Sequence, residues 1–409
     1  MMQIKPILAA LRCHKAGTVL ITLQIALTLA IVCNALFIIH QRMVHMSQPT
    51  GIDESQLLVI QNGWVDKPSL GESASMLAAD LATLRKVPGV LDVYATNAWP
   101  LGEGGTVYGI GHTPDKLSYV TSTAVYFTDE HALATLGLKL VAGRNFRADE
   151  ISQVGPDHVE PAQIIITQSL AEKLFPDGSA LGKTAYVSEK PSTIIGVVER
   201  MNGPWVDSFA ARWVGYSILV PNQLTDPAGA NYIVRTAPGQ RDDVARAAPK
   251  ALFAANRMRV ISHKDGVQIY GDIRAAAYKS DRGMAILMSV ICVLLLAITA
   301  AGIVGLSSFW VGQRRKQIGI RRALGATQHD ILNYFLVENL LIGSGGVVMG
   351  TVFAFAINLW LMKQFEMDRL ALGYLIAGVI TLLLLGQGAV LAAALRASHV
   401  PPVEATRSV

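Results

Sequence analysis

The stretch RRKQIGIRRALGATQHD, Arg314 to Asp330, begins just after a long apolar run, and its pattern decides how the chain is built. Wound at about 100° per residue, it puts Arg314, Arg315, Ile318, Arg321 and Arg322 on one arc and Ile320, Ala323 and Leu324 on the opposite arc. Gly325 falls where a left-handed C-cap is expected, a conformation glycine adopts without a Cβ penalty. Thr327 can cap the next helix, with Asp330 as the reciprocal acid. The pattern predicts a short amphipathic helix, a tight turn and a second helix start: a rigid elbow lying against one face of a membrane. A belt of arginines touching anionic headgroups accounts for the charge. It does not account for a capped helix, a glycine turn and a second cap in so few residues.

On either side of the elbow, and again near the N-terminus, the chain has apolar runs. Four of them, 19–40, 285–311, 331–361 and 372–395, reach the length of about 20 residues that a helix needs to cross a bilayer. The whole chain of 409 residues is 51% hydrophobic and only 16% charged, against roughly 25% charged in a soluble domain. Its net charge of +5 includes no basic tract interleaved with aromatics, which argues against a nucleic-acid partner. The first run follows Lys5, Arg12 and Lys15 as a signal peptide would, but it is too long for a signal core and reads as a retained span. Lys and Arg gather in segments 1–18, 312–330 and 396–409. The positive-inside rule therefore places these segments, with both termini, in the cytoplasm. Residues 41–264 then form one large domain on the far side of the membrane, and membrane lipid is the first expected partner.

This topology bears on PDGSALGKTAYV, Pro176 to Val187, which looks like a phosphate-binding loop. Only three residues separate Gly178 from Gly182, too few for that loop. The helix-like SLAEKLF precedes it and the strand-like KTAYV follows, the reverse of the order a phosphate loop requires. Outside the cytoplasm there is no ATP, so the segment reads as a turn. Asp129, Glu130 and His131 adjoin one another, but neighbours on a helix diverge by about 100° and do not converge on a ligand. They read as a solvated helix start, and no catalytic residue is expected. Cys13, Cys33 and Cys292 lie outside the large domain, which therefore folds without disulfides. No cysteine pair has metal-ligand spacing, so neither metal nor bound cofactor is expected.

Within the large domain, strands and helices alternate at both ends. QLLVIQ, ESASMLAADLATLRKV and VLDVYAT read as β–α–β. NYIVRT, a helix interrupted at Pro249, and MRVIS repeat the pattern. The fold class is thus four transmembrane helices plus an α+β domain of two subdomains. One subdomain is built from about 52–124 and 226–264; the other is a β-rich insertion at about 125–225. Residues 265–284 read either as a stalk helix entering the second span or as an ordinary linker. In the spans, Gln24 and Asn34 suit interhelical hydrogen bonds, and Gly346 with Gly350 suits close helix packing. Glu338 either faces a partner helix or lies at the interface. Ionisable groups are otherwise too few for a polar pathway through the spans.

RRKQIGIRRALGATQHDI is similar to the signature of FtsX-like permeases, the membrane subunits of MacB-type (type VII) ABC transporters. ILAALRCHKAG, STAVYFTDEHALATLGLKLVAGRNF, IIITQSLAEKLFPDGSALGKTAYV, TIIGVVE, GSGGVVMG and VPPVEATR also resemble that family, over most of the chain. The resemblance implies that the elbow is a coupling helix docking on an ABC ATPase, a role falling to Arg314, Arg315, Ile318, Gly319, Arg321, Arg322, Ala323, Leu324 and Gly325. MacB itself carries a fused N-terminal ATPase, whereas this chain starts shortly before its first span and has no Walker motif. A separate cytoplasmic ATPase dimer, binding ATP and Mg, and a second permease chain, identical or related, are therefore the implied partners. The implied setting is a bacterial inner membrane with the large domain in the periplasm, and the implied mechanism is mechanotransmission for efflux or extrusion, with a periplasmic adaptor and an outer-membrane channel. Lipoprotein release, or a signalling scaffold that regulates a periplasmic hydrolase, are the alternatives.

Overall fold

The computed structural model describes residues 15–115, 118–155, 161–207, 210–314, 318–320, 325–365 and 369–398. The chain forms two units, one of Met1–Ser47 with Ser280–Val409 and one of Gln48–Lys279. The first helix, α1 (Lys15–Ser47), is uninterrupted over its 33 residues.

The large unit opens with β1 (Leu57–Trp64), α2 (Leu70–Arg85) and β2 (Val90–Thr96). A capping box starts α2: the Ser69 hydroxyl accepts from the Glu72 N–H, and the Glu72 carboxylate accepts from the Ser69 N–H. Next come β3 (Thr106–Gly111), β4 (Tyr119–Phe127), α3 (Ala132–Leu136), β5 (Leu140–Gly143), β6 (Ser152–Val154), β7 (Gln163–Thr167) and α4 (Gln168–Leu174). These are followed by β8 (Thr184–Val187), β9 (Lys190–Val198), β10 (Ser217–Val220), β11 (Asn222–Leu224) and β12 (Gly229–Thr236). The unit ends with α5 (Arg241–Ala255), β13 (Arg259–Val260), β14 (Val267–Ile269) and α6 (Tyr270–Ala277).

Two main sheets result. The first, of order β13-β1-β12-β2 with β14 also on β1, comes from the two ends of the unit. Its core packs Leu58, Ile60, Val93 and Val234 against Leu77, Leu81 and Leu84 of α2 and Val244 and Leu252 of α5. The alternation of β2 separates its faces, since Val93 and Ala95 enter this core while Asp92 and Tyr94 point the other way. The second sheet has the order β5-β9-β7-β10-β4-β3-β8, and β8 also pairs with β9.

Three boundaries differ from expectation. The insertion begins with β3, not at residue 125, which lies inside β4 and pairs with Thr106. TVYGIG carries two glycines and little alternation, so its strand character comes from pairing with β4. Helix α5 runs through Pro249 because Val244, Ala248 and Leu252 remain on one buried face. The segment 265–284 is divided: β14 joins β1, α6 buries Tyr270 and Ile273, and a new helix starts at Lys279.

That helix, α7 (Lys279–Gln313), is followed by α8 (Gln328–Phe365) and α9 (Leu372–Ser398). Together with α1 these are four helices long and apolar enough to cross a membrane. Gly346 and Gly350 of α8 meet α1 at close range: a Cβ at Gly346 would lie 2.8 Å from Ile25 Cβ, and one at Gly350 2.8 Å from the Ala26 carbonyl oxygen. Polar contacts tie the same bundle. Asn34 donates to the Ala354 carbonyl at 3.1 Å, Gln24 donates to the Ile298 carbonyl at 3.2 Å, and Thr28 meets Thr299 at 2.8 Å. Near the other end of α1, Asp281 of α7 accepts from Arg42 at 2.7 Å and contacts His45 at 2.9 Å.

Candidate functional site at the elbow

Helical bonding continues past the end of α7. The Arg314 N–H donates to the Trp310 carbonyl, and Ile318 donates to the Arg314 carbonyl at 2.9 Å. At the other side of the elbow Gly325 has φ +96°, so the chain turns where only glycine is free of strain. Thr327 and Asp330 then close a reciprocal cap on α8. The Asp330 carboxylate accepts from the Thr327 N–H at 2.9 Å, and the Thr327 hydroxyl accepts from the Asp330 N–H at 3.2 Å. The glycine turn and the second cap are thus both present. Arg315, Arg321, Arg322, Ala323 and Leu324 lie outside the described residues.

Arg314 does not face outward with its arc. Its Nη1 donates to both oxygens of Glu338, at 3.0 and 2.9 Å, and the side chains of Arg314 and Glu338 are only 12% and 3% exposed. The open question about Glu338 is answered within the chain: it holds the end of α7 against α8. Around the pair, Trp310, Val311, Ile331 and Phe335 pack with Ile21 and Ile25 of α1, and Ile318 packs on the same cluster. Gly319 is buried and Ile320 is exposed. Arg314 and Ile318 thus both turn toward the bundle. Such a pair, partly removed from water, holds its geometry firmly, since moving either charge away leaves the other uncompensated.

This pairing has no local sequence signature. The partners are 24 residues apart and separated by the elbow. The only available signal is that opposite charges sit near the ends of consecutive spans that a short loop brings together. Gly346 and Gly350 are used within the chain, against α1, and do not form part of the elbow.

Elsewhere, α4 precedes GSALGKT and β8 follows it, as expected for a turn. The Lys183 ammonium lies 4.4 Å from the Phe175 ring centroid. The expectation for the acidic triplet is corrected: Asp129 is buried, 5% exposed, and precedes α3 without belonging to a helix. Its carboxylate accepts from the His131 backbone N–H, which draws it into the fold and away from solvent.

Comparison with known proteins gives two family matches. Residues 18–252 match the MacB-like periplasmic core domain, and residues 289–402 match the FtsX-like permease C-terminal domain. A protein of Chromobacterium violaceum described as "Macrolide export ATP-binding/permease protein MacB" is 27% identical over 54% of this chain and 33% of its own length. A protein of Paracoccus denitrificans described as "Macrolide export ATP-binding/permease protein MacB 1/2" is 24% identical over 86% of this chain and 50% of its own length. The chain thus spans between a third and half of these relatives. The crystal structure of the periplasmic region of MacB from Actinobacillus actinomycetemcomitans is 19% identical, with a TM-score of 0.35, and covers 57% of this chain and 97% of that one. With the core-domain match extending over more than half of its residues, the chain belongs to the MacB-type family of FtsX-like ABC transporter permeases.

Proposed function

We propose that this chain is a non-catalytic permease subunit that converts ATP hydrolysis by a separate cytoplasmic ATPase dimer into movement of its large domain, for efflux or extrusion of a substrate from the periplasmic side. The ATPase binds the ATP and Mg, and a second permease chain supplies the second elbow. The observation that carries the reading is the pair of fixed joints at the elbow. Arg314 is held by Glu338 on one side, and α8 is capped by Thr327 and Asp330 on the other. A push on an element fixed at both ends moves α7 and α8, whereas a slack loop would absorb it. The export function in the relatives' names supports efflux. In this reading Arg321, Arg322, Ala323 and Leu324 form the docking face, while Arg314 and Glu338 form the strut behind it.

The test is the double substitution R321E/R322E in the tagged chain, purified from native membranes with the ATPase that accompanies it. The variant is expected at the wild-type level in the membrane, with ATPase recovery or stimulated turnover reduced at least about tenfold. Unchanged recovery and unchanged stimulated turnover would contradict the docking role.

A further inference from the structure

The two sheets of the large domain meet through polar groups. Asn97, just after β2, donates to the Val125 carbonyl at 3.0 Å and accepts from the Phe127 N–H at 2.8 Å, so it clasps β4 of the second sheet. Two residues beyond Phe127 the chain buries Asp129, and His131 Nδ1 reaches back to Asp92 of β2 at 3.0 Å. Asp129 itself has one hydrogen bond of good geometry among the described contacts, from the His131 backbone N–H at 3.0 Å.

We propose that Asp92, Asp129 and His131 form a proton-operated latch between the two sheets, tight in acid and looser toward neutral pH. The groups that face it can be named. From α2 comes Arg85, 3.7 Å from Asp92. From β2 come Asp92 and the fully buried Tyr94. On the latch segment are Glu130, 3.7 Å from His131 Nε2, and His131 itself. Arg235 of β12 holds the other end of α3 through the Ala134 and Thr135 carbonyls at 3.1 Å and pairs with Asp53.

Burial lifts the Asp129 carboxyl from 3.8 to about 6, with the Glu130 charge adding to it; the His131 N–H, the His131 ring and Arg85 oppose the rise. The sign follows from this. An acid whose pKa is raised in the closed state favours closure when protonated, so that stability is complete in acid and is lost as pH climbs from about 4 to about 6. The latch stands independently of the coupling role proposed for the elbow.

Hydrogen exchange on the full-length chain in detergent tests it, at pH 4.5 and pH 7.0, corrected for the intrinsic pH dependence of exchange. Peptides covering 90–98 and 121–136 are expected to exchange at least about tenfold more slowly at pH 4.5, given a shift of about two pH units. D129N should remove most of that difference and stay slow at both pH values. H131Q should retain it, because Asp129 still titrates. Equal protection at the two pH values in the wild type would overturn the latch, as would a pH difference left intact in D129N. If D129N does not accumulate, loss of the pH difference in D129S, which likewise carries no titrating carboxyl, against its retention in H131Q, decides the same question.

Discussion

Arg314 and Glu338 illustrate how two ordinary charges acquire a structural role by location. Each was visible in the sequence, Arg314 as a member of a basic arc and Glu338 as the exceptional acid within a span. Their contact was not, since periodicity assigns a residue to a face and says nothing of what covers that face. The consequence is measurable. Replacing Arg314 by Gln leaves the Glu338 carboxylate buried without a counter-charge, and a loss of about 3–5 kcal/mol is expected. Replacing both, in R314M/E338L, should recover most of that loss, because no buried charge then remains. Thermal unfolding of R314M, E338L and R314M/E338L in detergent, read as a double-mutant cycle, checks this. Additive effects would show that the pair is not coupled. The same blindness applied to Asp129, whose neighbours in sequence are polar and suggested solvent, but whose carboxylate is drawn inward by the His131 N–H.

Among the helices and strands, legibility followed the strength of local signals. The start of α2 was readable because Ser69 and Glu72 bracket it, and β2 because VLDVYAT alternates cleanly. Strand β3 was missed because two glycines dilute its pattern, and its stability comes from β4. Pro249 suggested a break that burial of Val244, Ala248 and Leu252 overrides. In the bundle, the spacing of Gly346 and Gly350 correctly announced close packing without naming α1 as the partner. A larger side chain there must push α1 away. Gly350→Leu is therefore expected to destabilise the bundle by about 1–3 kcal/mol or more, whereas Gly388→Ala, with nothing within 4 Å of its Cβ position, should be neutral or slightly stabilising. Unfolding of the two variants in detergent checks the contrast. Equal stability would mean that α1 and α8 do not pack as closely as Ile25 and Ala26 indicate.

Taken as one molecule, the chain joins a four-helix unit to a large domain built from two sheets, in an order that the hydropathy already set out. The partition of that domain was also legible in outline, because strands from both of its ends pair in one sheet. The proposed coupling to an ATPase rests on the resemblance of the elbow, since periodicity within one chain reports no docking partner. The decisive measurement is hydrogen exchange on the tagged chain purified with its ATPase from native membranes, compared without nucleotide and with ATP, Mg and vanadate to trap hydrolysis. Trapping is expected to change protection both at residues 325–331 and within Gln48–Lys279, with the second change lost in R314Q. A change confined to the ATPase, or an identical response in R314Q, would contradict transmission through the elbow.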